Sequence, residues 1–294
     1  MSQAERTGFI AGLLAVGCWA GFILVSRVGG LSALLPYDTI ALRFLVGGAL
    51  LLPFAKGRLW LDWRGVVLAL VGGIGYSLFV YQGFRFTSAV HASLMLPGLI
   101  PFAAALFSVL LLREKLSNAR LAGLFCIAVG AALMLVMSHS PTSFHGDLLL
   151  IGSVLAWALY TVLIRFWQVP PLTGAVTTGV GSAILFLPVY FLWLPNNLAQ
   201  APWNDIVLQG FYQGVIATVV AMLLYLRAVS TIGPSAMGAL MALVPVVSGL
   251  AASVLLREPL SGWELSALAI TSMGALLASG LVTQWKNAKS AIAE

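Results

Sequence analysis

The stretch GVVLALVGGIGYSLFVYQGF, residues 65–84, contains no charged side chain. At a helical rise of about 1.5 Å per residue it extends about 30 Å, the thickness of a bilayer's hydrocarbon core. A strand of a membrane barrel would alternate in polarity over about 10 residues. An unbroken apolar run is instead satisfied by a helix, which bonds its own backbone where no water is available. The rest of the chain has the same character. Of 294 residues, 61% are apolar or aromatic and 8% are charged, with a mean hydropathy of +1.02. A soluble domain carries about a quarter charged residues, so this chain lacks the polar groups for a water-facing surface. It reads as an integral membrane protein.

Runs of about 20 apolar residues predict ten spans: 8–28, 37–54, 65–86, 89–112, 119–137, 146–168, 171–194, 205–229, 234–256 and 263–284. Turn signals separate most of them, among them Gly29-Gly30, Pro170-Pro171, Pro195-Asn196-Asn197 and Gly233-Pro234. The first run follows MSQAERT in the manner of a signal peptide, but it is long enough to span and is kept as a helix. Asp38, Asp147, Asp205 and Glu264 are placed at helix starts, where a carboxylate suits the helix dipole. Cys18 and Cys126 lie inside apolar runs, as packing residues rather than a disulfide. With ten spans both termini share a side. That side would carry Arg6, Lys56, Arg58, Arg64, Arg113, Lys115, Arg120, Arg165, Arg227, Lys286 and Lys289, against Arg27, Arg85 and Arg257 on the other. Positive residues concentrate on the cytoplasmic side, which predicts a plasma (inner) membrane protein with cytoplasmic N- and C-termini.

LLREKLS at residues 111–117 returns as LLREPLS at 255–261, an offset of 144 (255 − 111). At the same offset Tyr81 matches Tyr225, Thr87 Thr231, Pro101 Pro245, Glu114 Glu258 and Gly130 Gly274. At an offset of 138, Gly8 matches Gly146, Trp19 Trp157 and Arg27 Arg165. The chain therefore reads as two five-helix repeats, residues 1–140 and 141–294. Five is odd, so the second repeat enters the membrane from the opposite side. The expected fold is all-α, ten transmembrane helices as two inverted five-helix repeats around a central cavity, an arrangement suited to alternating access.

RFTSAVHASLMLPGLIPFAAALFSVLLLREKLS and its partner AVSTIGPSAMGALMALVPVVSGLAASVLLREPLS resemble the EamA-type repeats of the drug/metabolite transporter superfamily. The resemblance covers Gly8 to about Gln284 and implies a ten-helix exporter of small metabolites, with helices 5 and 10 peripheral. Ala156-Trp157-Ala158-Leu159-Tyr160, together with chain length, is similar to the YddG-type amino-acid exporters. The chain departs from that pattern in helix 4, where Pro97-Gly98-Leu99-Ile100 precedes Pro101 in place of aromatic residues.

Trp19 and Trp157 fall near the bilayer midplane from opposite sides, although tryptophan ordinarily prefers the interfaces. With Tyr160 they suggest an aromatic lining able to stack on flat or cationic ligands, the alternative being interhelical packing. Tyr76, Tyr81, His91 and Gln213 are polar groups within or at the ends of apolar spans, and so candidates for substrate contact. His91 is also the candidate proton carrier, or else a solvated residue at a helix start. Arg43 lies about 9 Å into helix 2, placed to attract a carboxylate or to snorkel to the headgroups. Pro101 and Pro245 interrupt the helical hydrogen bonds of helices 4 and 9, as hinges or as fixed kinks. The glycine pairs 8/12, 17/21 and 210/214 favour close packing within the chain.

All nine carboxylates fall at termini, in loops or at helix ends. That predicts facilitated diffusion rather than ion-driven transport. No metal-ligand spacing or P-loop is present, so neither an enzyme nor a cofactor is expected. The expected partners are the lipid bilayer and a small-molecule substrate, amino acids first among them, with no nucleic acid and no obligatory protein partner. Two alternatives stay open: an exporter of aromatic or cationic drugs with proton coupling through His91, and a non-transporting membrane receptor.

Overall fold

The computed structural model of the protein describes residues 2–55, 62–136 and 141–279. Ten helices span them: α1 Gln3–Leu31, α2 Pro36–Phe54, α3 Trp63–Phe86, α4 Ala89–Leu112, α5 Asn118–Val136, α6 Pro141–Phe166, α7 Pro171–Trp193, α8 Trp203–Ile232, α9 Pro234–Leu255 and α10 Gly262–Ala278. Nine are long and apolar enough to cross a membrane, and α10 is apolar over its 17 described residues. The expected ends of the last helix, Lys286 and Lys289 beyond it, and Lys56 and Arg58 lie outside the described residues. Large apolar side chains stay exposed around the bundle, Leu110, Phe125 and Val254 among them, as a lipid-facing surface requires.

Local chemistry explains several helix starts. Ser2 and Glu5 form a capping box at the start of α1, with Ser2 Oγ accepting from the Glu5 N–H and Glu5 accepting from the Ser2 N–H. Ser261 and Glu264 repeat the device at α10, and Ser88 caps α4 by accepting from the His91 N–H. Asp147 does not sit at a helix start as expected. Helix α6 begins earlier, at Pro141, which carries Asp147 into the second turn, where it is fully buried.

Glycines set the closest approaches. A side chain at Gly123 on α5 would meet backbone atoms of Gly274 and Ala278 on α10 at 2.6 Å, so these two helices pack backbone to backbone. Gly8 and Gly12 of α1 face Thr231, Leu240 and Met237 at the end of α8 and the start of α9. Gly214 of α8 faces Val46 of α2, whereas Gly17 faces open space. The end of the bundle where α1 begins is called proximal below, and the other end distal.

Two helices contain π-helical segments, Ala69–Gly75 in α3 and Gly210–Val220 in α8. These segments overlap at the offset of 144, and each has a carbonyl met by a hydroxyl. Ser182 Oγ donates to the Ala69 carbonyl at 3.1 Å, and Thr218 Oγ1 donates to the Gln213 carbonyl at 2.7 Å. Ala69 and Gln213 are themselves 144 residues apart (213 − 69). Such segments are costly in isolation and recur at functional sites. The expected proline hinges differ from each other. Pro101 lies within the continuous helix α4, while α9 is interrupted at Ala242–Leu243 and Pro245 opens its second segment, Val244–Leu255.

Candidate functional site

Arg43, in the second turn of α2, points toward α3 rather than to the bundle end. Its Nη1 donates to the Tyr81 hydroxyl at 3.1 Å, and its guanidinium carbon lies 5.8 Å from the ring centres of both Phe22 and Tyr76. Among the described residues no carboxylate forms an ion pair with it. A cation held by one hydroxyl and two aromatic faces is stabilised, but its charge is not neutralised.

The arrangement continues in two directions. Tyr81 donates to Gln213 Oε1 at 3.0 Å. Gln213 Nε2 donates to Ser26 Oγ at 3.0 Å and to Gln209 Oε1 at 3.2 Å, and Gln209 Nε2 reaches the Val25 carbonyl at 2.8 Å. This hydrogen-bonded polar chain ties α1, α2, α3 and α8 together. On the other side Tyr76 packs on Trp157 with ring centres 5.1 Å apart, and Trp157 on Tyr160 at 5.2 Å. Tyr76 and Trp157 remain partly accessible, and Tyr160 is buried. Thus Arg43, Tyr76, Tyr81, Trp157, Tyr160 and Gln213, six of the residues singled out in the sequence, form one continuous arrangement across α2, α3, α6 and α8.

Trp19 and His91 are placed elsewhere. Trp19 packs edge-on against Tyr225 at 5.6 Å, repeating the tryptophan–tyrosine pairing on the other half of the bundle. His91 is buried rather than solvated. Its Nδ1 is 3.1 Å from Asp147 Oδ2 and its Nε2 is 3.4 Å from Glu264 Oε1, and Asp147 Oδ1 accepts from Thr87 Oγ1 at 2.7 Å. The earlier start of α6 causes this burial, because it brings Asp147 level with the first turn of α4.

One further buried cluster had no sequence signal. Asp38, fully buried at the distal start of α2, accepts from the Tyr190 hydroxyl at 2.6 Å, from the Leu35 N–H at 2.7 Å and from the Asn197 N–H at 3.1 Å. A carboxylate in the first turn of a helix is ordinarily a local cap, and only packing brings Tyr190 from α7 and the loop after it to the same oxygens. Among the described residues, no group of three or more His, Cys, Asp or Glu side chains is arranged to hold a metal ion.

The EamA-like transporter family matches this chain twice, over residues 6–136 and 144–280. The chain belongs to the EamA-like transporter family. It is a multi-pass membrane transporter of the drug/metabolite superfamily, as the paired REKLS and REPLS helix ends suggest. It is 25% identical over 228 residues to the uncharacterized transporter YyaM of Bacillus subtilis (strain 168), an alignment covering 74% of this chain and 73% of that one. It is 27% identical over 296 residues to a probable amino-acid metabolite efflux pump of Salmonella typhimurium, covering 92% of this chain and 94% of that one. A solved crystal structure with 25% sequence identity superposes with a TM-score of 0.62, covering 94% of this transporter and 97% of that chain.

Proposed function

We propose that this transporter exports amino-acid-like metabolites, aromatic ones included, by alternating access, with Arg43 receiving the carboxylate and the Tyr76–Trp157–Tyr160 rings receiving an apolar side chain. The observation that carries this reading is the un-neutralised guanidinium of Arg43, supported within the bundle by Tyr81 and bordered by partly accessible aromatic rings. A bidentate carboxylate would supply the missing counter-charge. The similarity to a probable amino-acid metabolite efflux pump supports the same substrate class.

In this reading the halves, residues 1–140 and 141–294, are inverted repeats that exchange conformations. Arg6, Arg64, Arg113, Lys115, Arg120, Arg165 and Arg227 belong to the proximal end and Arg27, Arg85 and Arg257 to the distal end. That bias supports a cytoplasmic proximal end and an inner-membrane location. The distal half is the more closed: Ala89, Val90, Ala92, Ser93, Leu94 and Met95 of α4 have no exposed surface. By contrast, each residue of α8 from Val215 to Val220 is partly exposed. This asymmetry supports a conformation more tightly closed at the distal end. Transport is facilitative, its direction set by the cargo gradient.

Radiolabelled phenylalanine, threonine, methionine, lysine and glutamate offered to proteoliposomes test the proposal, with and without a pH gradient and beside Trp157→Ala. Equilibrating uptake of phenylalanine, insensitive to the gradient and weakened in the variant, is expected. Failure of all five to enter would refute the amino-acid assignment. A second reading, proton-coupled export, is favoured by one observation, the burial of His91 between Asp147 and Glu264. Accumulation above equilibrium driven by the pH gradient, and lost in His91→Gln, would establish it over facilitated diffusion.

A further inference from the structure

The repeated LLRE phrase has a structural counterpart. Helix α4 ends at Leu112 and α9 at Leu255, and the arginines that follow, Arg113 and Arg257, both adopt φ of 55°. Among the described residues only Gln168 shares a positive φ without being glycine. The left-handed conformation costs a non-glycine residue about 1–2 kcal/mol, so its occurrence at both matched positions calls for a compensating contact. In each case the turn delivers the next residue, a glutamate, to an arginine of the other half. Glu258 Oε1 pairs with Arg27 Nε at 3.0 Å at the distal end, and Glu114 Oε1 pairs with Arg165 Nη2 at the proximal end. Glu114 and Glu258 match at an offset of 144, and Arg27 and Arg165 at 138. The same ion pair is therefore made twice, once at each end of the bundle, and each copy joins one half to the other.

The two copies differ in environment. The distal side chains are 17% and 13% exposed, Arg27 also donates to the Phe84 carbonyl at 2.9 Å, and Glu258 Oε2 accepts from the Val90 N–H at 3.1 Å. The distal pair thereby joins α1, α3, α4 and α9. The proximal side chains are 56% and 30% exposed, and the further ion-pair partner of Glu114 is Arg120 at 3.8 Å. An exposed pair contributes little, whereas breaking a buried one leaves an uncompensated charge.

We propose that Arg27–Glu258 and Glu114–Arg165 are the two positioning latches of the transport cycle. The distal pair separates when the distal end opens, and the proximal pair separates when the proximal end opens. This inference rests on the alternating-access reading above, but not on the identity of the cargo. Its geometry also assigns this structure to a state with both latches set, the distal one shielded and the proximal one more exposed.

The test uses the full-length transporter in proteoliposomes of defined orientation, with Cys18 and Cys126 replaced by serine. Labelling by a membrane-impermeant maleimide is read at one of two reporter positions, Ser93→Cys in the buried distal half of α4 or Ala217→Cys in the partly exposed stretch of α8. Glu258→Gln is expected to raise distal-side labelling of the first reporter several-fold and to lower proximal-side labelling of the second. Glu114→Gln is expected to raise proximal labelling of the second reporter without opening the first. If Glu258→Gln does not fold, Arg27→Lys keeps the charge but not both bonds and must shift labelling the same way, to a smaller degree. Changes of the same sign from both variants, or no change from either, would overturn the proposal, because merely structural pairs loosen the bundle without choosing a side. Because labelling needs no cargo, it still decides the matter if no amino acid is transported.

Discussion

Asp38 allows a prediction whose size follows from counted hydrogen bonds. Replacing it with alanine removes the acceptor of three donors: the Tyr190 hydroxyl, the Leu35 N–H and the Asn197 N–H. A hydrogen bond to a charged group contributes about 1.5–3 kcal/mol. Leu35 and Asn197 are only partly buried, so water can replace much of what their N–H groups lose. Tyr190 is almost wholly enclosed, so its hydroxyl is left unsatisfied. The expected loss for Asp38→Ala is about 3–5 kcal/mol, one enclosed charged hydrogen bond in full and a part of the two that water can replace. Tyr190→Phe keeps both N–H donors on the carboxylate and should lose only the one charged hydrogen bond, about 1.5–3 kcal/mol. In the double variant the orphaned hydroxyl is gone, so it should be more stable than the sum of the single losses predicts, by about 1–2 kcal/mol. Denaturant unfolding in detergent micelles, followed by tryptophan fluorescence, measures all three. Equal losses for Asp38→Ala and Tyr190→Phe, or strict additivity in the double variant, would refute the account of a buried carboxylate organising the distal end.

Three more predictions follow from the same geometry. Arg43→Gln should weaken phenylalanine binding about 30- to 150-fold, corresponding to about 2–3 kcal/mol for a lost charged hydrogen bond, and leave phenethylamine binding, which needs no carboxylate partner, unchanged. Competition in proteoliposomes reads both, and equal losses for the two ligands would rule out a carboxylate role for Arg43. Gly123→Leu must push α5 from α10, because its Cβ would fall 2.6 Å from the Gly274 carbonyl oxygen and the Ala278 nitrogen. It should cost about 1–3 kcal/mol in unfolding and leave the cargo KM unchanged, whereas a raised KM would show that this pair shapes the binding site. With equal pH on both sides, the rate of exchange but not its endpoint should rise with pH, as His91 loses the proton that pairs it with Asp147 and Glu264. His91→Gln should flatten that profile, and an unchanged profile would place the titrating group elsewhere.

How much of this was legible in the sequence differs by element. Arg43, Tyr81 and Gln213 stood out one by one as polar groups within apolar runs, and Trp157 and Tyr160 as aromatics at depth. Their convergence was not readable, because they come from α2, α3, α8 and α6 and no spacing along the chain encodes which faces meet. His91 had two readings of comparable weight, and the burial that removes the solvated one depends on where α6 begins. The π-helical segments had only a weak signal, the glycines at 72, 73, 210 and 214. Ser182, whose hydroxyl meets the Ala69 carbonyl, lies 113 residues from it.

What the sequence determined by itself was everything set by local free energy. Apolar runs as long as a bilayer is thick must be helices, serines and glutamates at their starts cap them, and a phrase written twice implies a duplicated unit. Tertiary structure alone decided the pairings of charged and polar groups. Such groups are costly in a low-dielectric bundle unless satisfied, but many partners can satisfy them. Only the packed arrangement of helices sends Glu258 to Arg27, Asp147 to His91 and Tyr190 to Asp38, and leaves Arg43 without a counter-charge among the described residues.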